Sequence, residues 1–182
     1  MRKIILNVAV SLDGFIEGPN GEYDWCLADQ DYGMKDFFSN IDTIFIGRKS
    51  YDLISSDTSM YPVKKIYVFS DTLTNQEHNP NVEVVKSAQF DEVVDRVMKE
   101  PGKNIWLFGG AEMVSAFMNK NLLSTLLLSI HPILLGEGKA LFNDLKDRVD
   151  LVLLDHKSYS TGLLQATYTI KPKLDMEMPN LL

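Results

Sequence analysis

Two short stretches of this chain pair glycine with hydrogen-bond donors in a way that suits an anion. The first is Gly47-Arg48-Lys49-Ser50-Tyr51, which follows a β-branched run. Two cations at the start of a helix oppose its dipole by ~0.3–1 kcal/mol. A bound anion offsets that cost, held by backbone N–H groups, the Ser50 hydroxyl and the Arg48 guanidinium. The plainer reading is a solvated pair behind a turn glycine. The second stretch is Phe108-Gly109-Gly110-Ala111, again a strand end running into a helix start. Its glycines let the backbone come close to a pyrophosphate, although a bare pair lacks the spaced dinucleotide fingerprint. Two such sites on consecutive crossover units suit a dinucleotide better than either does alone.

Other residues have weaker claims. Asp13-Gly14 lies in a strand-to-loop stretch at residues 8–16, and Ser70-Asp71-Thr72 places hydroxyls at another strand end; both also fit ordinary turn chemistry. Trp25 reads as a lid over a planar ligand or as plain core. His78, His131 and His156 are far apart without metal-ligand spacing, so each reads as a surface or packed histidine and no metal is expected. Ser115 sits in no nucleophile elbow, and Cys26 has no evident partner base.

The elements that must position these groups alternate. Residues 3–10, 43–46, 65–69, 81–85, 104–108 and 123–130 read as strands. Residues 29–40 (capped by Asp29 or Asp31), 47–54, 90–99 and 111–118 read as helices. Residues 11–24 form a long Gly-, Pro- and Asn-rich loop, 132–138 another, and 151–157 with 163–171 an antiparallel hairpin. This pattern predicts an α/β fold with a mixed, mostly parallel central sheet covered on both faces and closed by the C-terminal hairpin. In such sheets ligands bind beyond the carboxyl ends of the strands, where both glycine stretches lie. One domain is expected over residues 1–174, with residues 175–182 a frayed, flexible tail.

Composition narrows the class. The 182 residues carry 18 Lys and Arg against 25 Asp and Glu, a net charge of −7 that disfavours nucleic acid, whose phosphates need a basic face. The single cysteine excludes a disulfide scaffold. The apolar runs at residues 4–10 and 122–135 are too short or too interrupted to span a bilayer or form a signal segment. A cytoplasmic protein acting on a small molecule, away from membranes, is expected.

In order along the chain, AVSLDGFI (9–16), DTIFIGRKSY (42–51), YVFSDTL (67–73), WLFGGAEMVSAFM (106–118) and HPILLGEGKALF (131–142) resemble the dihydrofolate reductase-like superfamily. Within it, the chain is most similar to the C-terminal reductase domain of riboflavin-biosynthesis deaminase–reductases. The resemblance implies a three-layer α/β/α fold and hydride transfer from NADPH. By position, Gly47, Arg48, Lys49 and Ser50 should hold the cofactor's phosphates, and Ser70 should lie by the adenosine ribose. Phe108, Gly109, Gly110, Ala111 and Glu112 should cradle the pyrophosphate, with Ala9 and the loop Ser11–Ile16, Gly14 included, beside the nicotinamide. Phe15, Trp25 and Leu135 would flank the substrate, and Asp13, Asp31 or solvent would supply a proton. The resemblance also implies a homodimer. No deaminase zinc motif is present, so only the reductase half is represented.

The chain departs from that pattern in three respects. The carboxylate that folate reductases place near the start of the first helix is matched only by region, where both Asp29 and Asp31 lie. Two further positions differ. Asp71 stands where a basic residue often follows the serine, which leaves NADH beside NADPH. Phe108 stands where riboflavin-pathway reductases carry Glu, which leaves open a ribosylaminouracil, a pterin, or binding without turnover.

Overall fold

The computed structural model describes residues 1–74 and 79–172. The expected loose end at residues 175–182 lies outside the described residues, as does His78. Ten strands and four α-helices follow in the order β1 (Ile4–Ser11), β2 (Phe15–Glu17), α1 (Met34–Ser39), β3 (Ile41–Gly47), α2 (Arg48–Ile54), β4 (Lys65–Phe69), β5 (Val82–Val85), α3 (Phe90–Lys99), β6 (Asn104–Gly109), α4 (Ala111–Asn119), β7 (Thr125–His131), β8 (Lys139–Ala140), β9 (Leu151–Ser158) and β10 (Leu164–Ile170) among the described residues.

Eight strands form one sheet in the order β5-β4-β3-β6-β1-β7-β10-β9. It is parallel except for β10, which runs antiparallel to both β7 and β9. The chain steps outward from β3 to β5, then returns to insert β6 between β3 and β1. The carboxyl ends of β3, β6, β1 and β7 are therefore gathered along one edge of the sheet. Register sets Ala9 beside Ser129 and Ser11 beside His131.

Alternate side chains serve opposite faces, as a strand requires. On β3, Phe45 joins the core that includes Val93, Val97, Val114 and Phe117 of α3 and α4. Its neighbours Ile44 and Ile46 join the other core, against which Phe37 and Phe38 of α1 and Tyr51 of α2 pack. The three layers expected from the alternation are thus present.

Two readings of the sequence are corrected. The first helix begins at Met34 and not near Asp29, because Tyr32 and Gly33 both take left-handed backbone (φ 47 and 80). It ends at Ser39, and Ile41 starts β3. The loop after β1 is also not wholly irregular, since β2 pairs antiparallel with β8 in a two-stranded ribbon.

At the amino ends of β1, β3 and β6, Arg2 is buried against Asp42. Its guanidinium also donates to the Thr43 hydroxyl at 2.7 Å and the Lys103 carbonyl at 2.6 Å, while Asp42 accepts from the Lys103 amide at 3.1 Å. The two side chains are only 6% and 9% exposed, so removing one leaves its partner's charge buried without a counter-ion. Asp42→Ala is expected to lower unfolding free energy by about 3–5 kcal/mol, read from the denaturant midpoint. A loss below about 1 kcal/mol would mean the pair is no better than a surface one.

Candidate functional site

Gly47 ends β3 directly against the end of β6. A Cβ built on Gly47 would lie 3.0 Å from Met113 Cγ, 3.6 Å from the Gly109 carbonyl oxygen and 3.7 Å from the Gly110 nitrogen. Glycine therefore admits Met113 and keeps the two backbones close. Gly109 has φ 124, a conformation closed to side-chain-bearing residues, and its peptide bond to Gly110 is cis. The two glycine-containing stretches are thus one place in the structure.

Side-chain donors approach that place. A Cβ on Gly110 would meet Ser50 Oγ at 3.4 Å and Lys139 Nζ at 4.0 Å. Gly110 is the N-cap of α4, where unsatisfied N–H groups favour an anion, and Ala111 is fully buried behind it. Glu112 occupies the first turn of α4. Lys139, on β8, pairs with Glu17 at 3.5 Å and was not singled out in the sequence. Only the β2–β8 ribbon brings it here. A phosphate group would find a hydroxyl, an ammonium and backbone amides already converging.

Arg48 lies further out, its Nε bonded to both Asp52 oxygens at 2.8 and 3.0 Å. The pair is about half exposed and worth only ~0–1 kcal/mol, so an incoming phosphate can displace it. Arg48, Tyr51, Asp52, Leu73 and Val84 help line an open groove of about 610 Å³. Lys49, next along α2, is not among the residues that line the groove. Near Leu73, Ser70 Oγ accepts from the amides of Thr72 and Leu73 at 3.2 and 2.9 Å. Asp71 turns its carboxylate onto Ser87, whose hydroxyl and amide hold it below the usual carboxylate range. Lys86 donates to the carbonyls of Asp71 and Leu73 at 3.0 and 2.6 Å, so this corner holds a cation that the position after Ser70 lacks.

A second hollow, a cleft of about 310 Å³, opens beside β1, β6 and β7. Its walls include Ala9, Trp106, His131, Asp31 and Gln165. Asp31 accepts from the Lys35 amide at 3.2 Å at the start of α1. Trp25 sets its ring edge-on to His131, centroids 5.3 Å apart. Trp25 itself is not among the cleft's wall residues; Cys26 is, and there burial, then the nearby Asp24 charge, push its thiol up to about 11. It is a poor nucleophile at neutral pH. Phe108 is drawn away into an aromatic cluster with Trp106 and Tyr61.

The remaining sequence candidates lie on the neighbouring loops and at the start of β2, and are not among the cleft walls. Asp13 accepts from the Ser11 hydroxyl at 2.6 Å, the Gly136 amide at 2.8 Å and the Leu135 amide at 3.1 Å. It ties the two loops together. Phe15 donates its amide to Ser11 Oγ at 2.9 Å, and the Gly14 carbonyl accepts from Leu141 at 2.9 Å. Asp13 and Asp31 thus occupy different surroundings, one pinning loops and one facing the cleft. His131 was read only as a packed or surface residue; the available signal was its position at the end of a strand.

Residues 2–165 match the family model described as the RibD C-terminal domain. The chain is 44% identical over 180 residues to the uncharacterized protein YyaP of Bacillus subtilis (strain 168), covering 92% of this chain and 94% of that protein. It is 28% identical to a Shewanella sp. PV-4 structure named for riboflavin biosynthesis, with a TM-score of 0.79 over 94% of this chain and all of that one. A dihydrofolate reductase from Enterococcus faecalis, complexed with NADP(H), shares the fold at TM-score 0.67 and 16% identity, over 93% of this chain and 97% of that one.

The Asp13 contacts make a pH-dependent prediction. The Ser11 hydroxyl first, then the Gly136 amide, hold this carboxyl below its ordinary 3.8. A depressed folded-state value means the bonds stabilise the loops above pH 3.8 and weaken as pH falls below it. Asp13→Ala should therefore speed amide hydrogen exchange at Leu135 and Gly136 at neutral pH and leave β7 unchanged. Unaltered exchange at both amides would show that Asp13 pins nothing.

Proposed function

The chain belongs to the RibD C-terminal domain family, and on that premise we propose that it is an NADPH-dependent reductase of a small planar heterocycle or carbonyl compound. A riboflavin-pathway aminouracil of the 5-amino-6-(5-phosphoribosylamino)uracil type ranks first, and a dihydropterin second. The observation that carries this reading is the convergence of Ser50, Lys139 and the start of α4 on Gly110, beside a cleft that shares β6 with it. When bound, the cofactor would supply a hydride from its nicotinamide ring.

The protein's own share is positional. Ser50, Lys139 and the Gly110–Ala111 amides would hold the pyrophosphate, and Arg48 would leave Asp52 for a phosphate further out. Lys86 supports NADPH over NADH, since it brings a cation to the corner where Asp71 alone would repel a 2′-phosphate. Ala9, with no bulk beyond Cβ, leaves room for a flat ring against β1. The cleft would hold the acceptor beside that ring and keep water out, where orientation accounts for most of the rate. Asp31 borders the acceptor's space and is the better placed of the two carboxylates to relay a proton.

A homodimer fits the remaining surface. Among the described residues β9 pairs only with β10, and its Leu151, Val152, Leu153 and Leu154 are 39–58% exposed. A bare apolar edge of this kind invites a second copy. Among the described residues no helix is long and apolar enough to cross a membrane.

Two measurements check these readings. Fluorescence titration should give micromolar NADPH binding, weakened about tenfold or more by Arg48→Ala or Lys139→Ala, since each removes a charge-assisted bond. Failure of the wild-type protein to bind NADPH or NADH would refute the reductase. Light scattering should find a dimer that Leu154→Lys converts to monomer; a monomeric wild type at ~100 μM would remove the edge-strand dimer, well above the range of stable pairing.

A further inference from the structure

Lys139 does not stand at the Gly110 cradle as a free cation. Its ammonium pairs at 3.5 Å with Glu17, the one carboxylate it meets among the described residues. The same Nζ would lie 4.0 Å from a Cβ on Gly110, so it stands between an acidic side chain and the start of α4. The Lys139 and Glu17 side chains are 27% and 33% exposed. Solvent therefore screens this pair less than it screens the half-exposed Arg48–Asp52 pair.

Backbone geometry keeps the pair together. Glu17 and Lys139 are register partners across the β2–β8 ribbon, which sets their side chains on one face. Just before Lys139, Gly138 has φ 147, and a Cβ there would collide with the Glu17 carbonyl oxygen. The two chains cross more closely than any side chain at residue 138 allows, so neither backbone draws back while the ribbon stands. A phosphate that reaches Lys139 thus arrives beside an anchored carboxylate. Glu17 also aims the ammonium, but that is the lesser effect. Lys139 projects from a strand already fixed in place, whereas the carboxylate charge stays near every phosphate that binds, and repulsion falls only as the inverse of distance.

We infer that Glu17 sets how tightly the cradle holds a pyrophosphate, occupying Lys139 in the empty protein and competing for its ammonium once a phosphate arrives. Glu17 is thus a positioning residue that acts through Lys139, and it keeps the dinucleotide exchangeable. The inference rests on the reading of the Gly110 cradle as a cofactor site. A reductase gives up its oxidised cofactor at every turnover, and both redox forms carry the same pyrophosphate. Glu17 therefore weakens both by the same factor. Arg48 and Asp52 repeat the arrangement further out, so both cations offered to phosphates come already paired.

Calorimetry of the full chain with NADP+, NADPH and 2′-AMP, which has no pyrophosphate, tests this. Glu17→Gln should tighten both dinucleotides equally, by about threefold or more, and leave 2′-AMP within about twofold of the wild type. Glu22, whose carboxylate lies against Gly18 and accepts from the Asn20 amide at 2.8 Å, is the control, and Glu22→Gln should leave all three affinities unchanged. In a Lys139→Met background the Glu17 carboxylate has no ammonium to hold it and turns to solvent. There Glu17→Gln should change NADP+ affinity by less than about twofold. Unchanged or weakened dinucleotide binding in Glu17→Gln overturns the inference, as does a tightening that persists in Lys139→Met or appears equally in Glu22→Gln. A wild type that binds neither dinucleotide removes the cofactor reading and the inference with it. A wild type that binds both, with no gain in Glu17→Gln, removes the inference alone.

Discussion

The closeness of two strand ends governs the rest of this molecule. β3 and β6 finish side by side because Gly47 has no side chain between them and Gly109 accepts a backbone conformation closed to other residues. A methyl group at Gly47 would need the Met113 side chain to give way by a few tenths of an ångström. With the two ends in contact, the hydroxyl of Ser50 and the first amides of α4 address one small volume. Sheet order does the wider work: β6 lies between β3 and β1, and β1 lies beside β7. The cradle at Gly110 and the cleft at His131 are consequently neighbours. At the opposite end of the same strands, the buried Arg2–Asp42 pair ties their starts together.

A second layer of positioning comes from short loop contacts. The β2–β8 ribbon carries Lys139 to the cradle, and Asp13 joins the loop after β1 to the loop after β7. Ser11 anchors both Asp13 and the Phe15 amide from a nearly buried position. Loop residues that look expendable in isolation thus hold a charged group over the sheet edge.

Legibility from sequence followed the strength of local signals. Residues 65–69 and 90–99 were read to their observed bounds because β-branched runs and a 3.6-residue period need no distant partner. The paired glycines were legible for the same reason. The start of α1 was not, since the left-handed turn at Tyr32 and Gly33 overrides a favourable capping aspartate. β2 and β8 are three and two residues long, too short for any period to register. Lys139 and His131 owe their places to tertiary pairing, and a single histidine carries no pattern. Asp13 was visible as a candidate acid, but its bonds to amides more than a hundred positions away were not.

The central claim is that a dinucleotide lies across the joined strand ends with its flat head entering the β1 side of the cleft. Backbone amide chemical-shift mapping of the full chain during NADP+ titration addresses it most directly. The account predicts the largest changes at Ser50, Gly109, Gly110 and Ala111, with a second group at Ala9 and its neighbours on β1. Changes confined to other surfaces, or saturation that leaves the paired glycines unmoved, would contradict it.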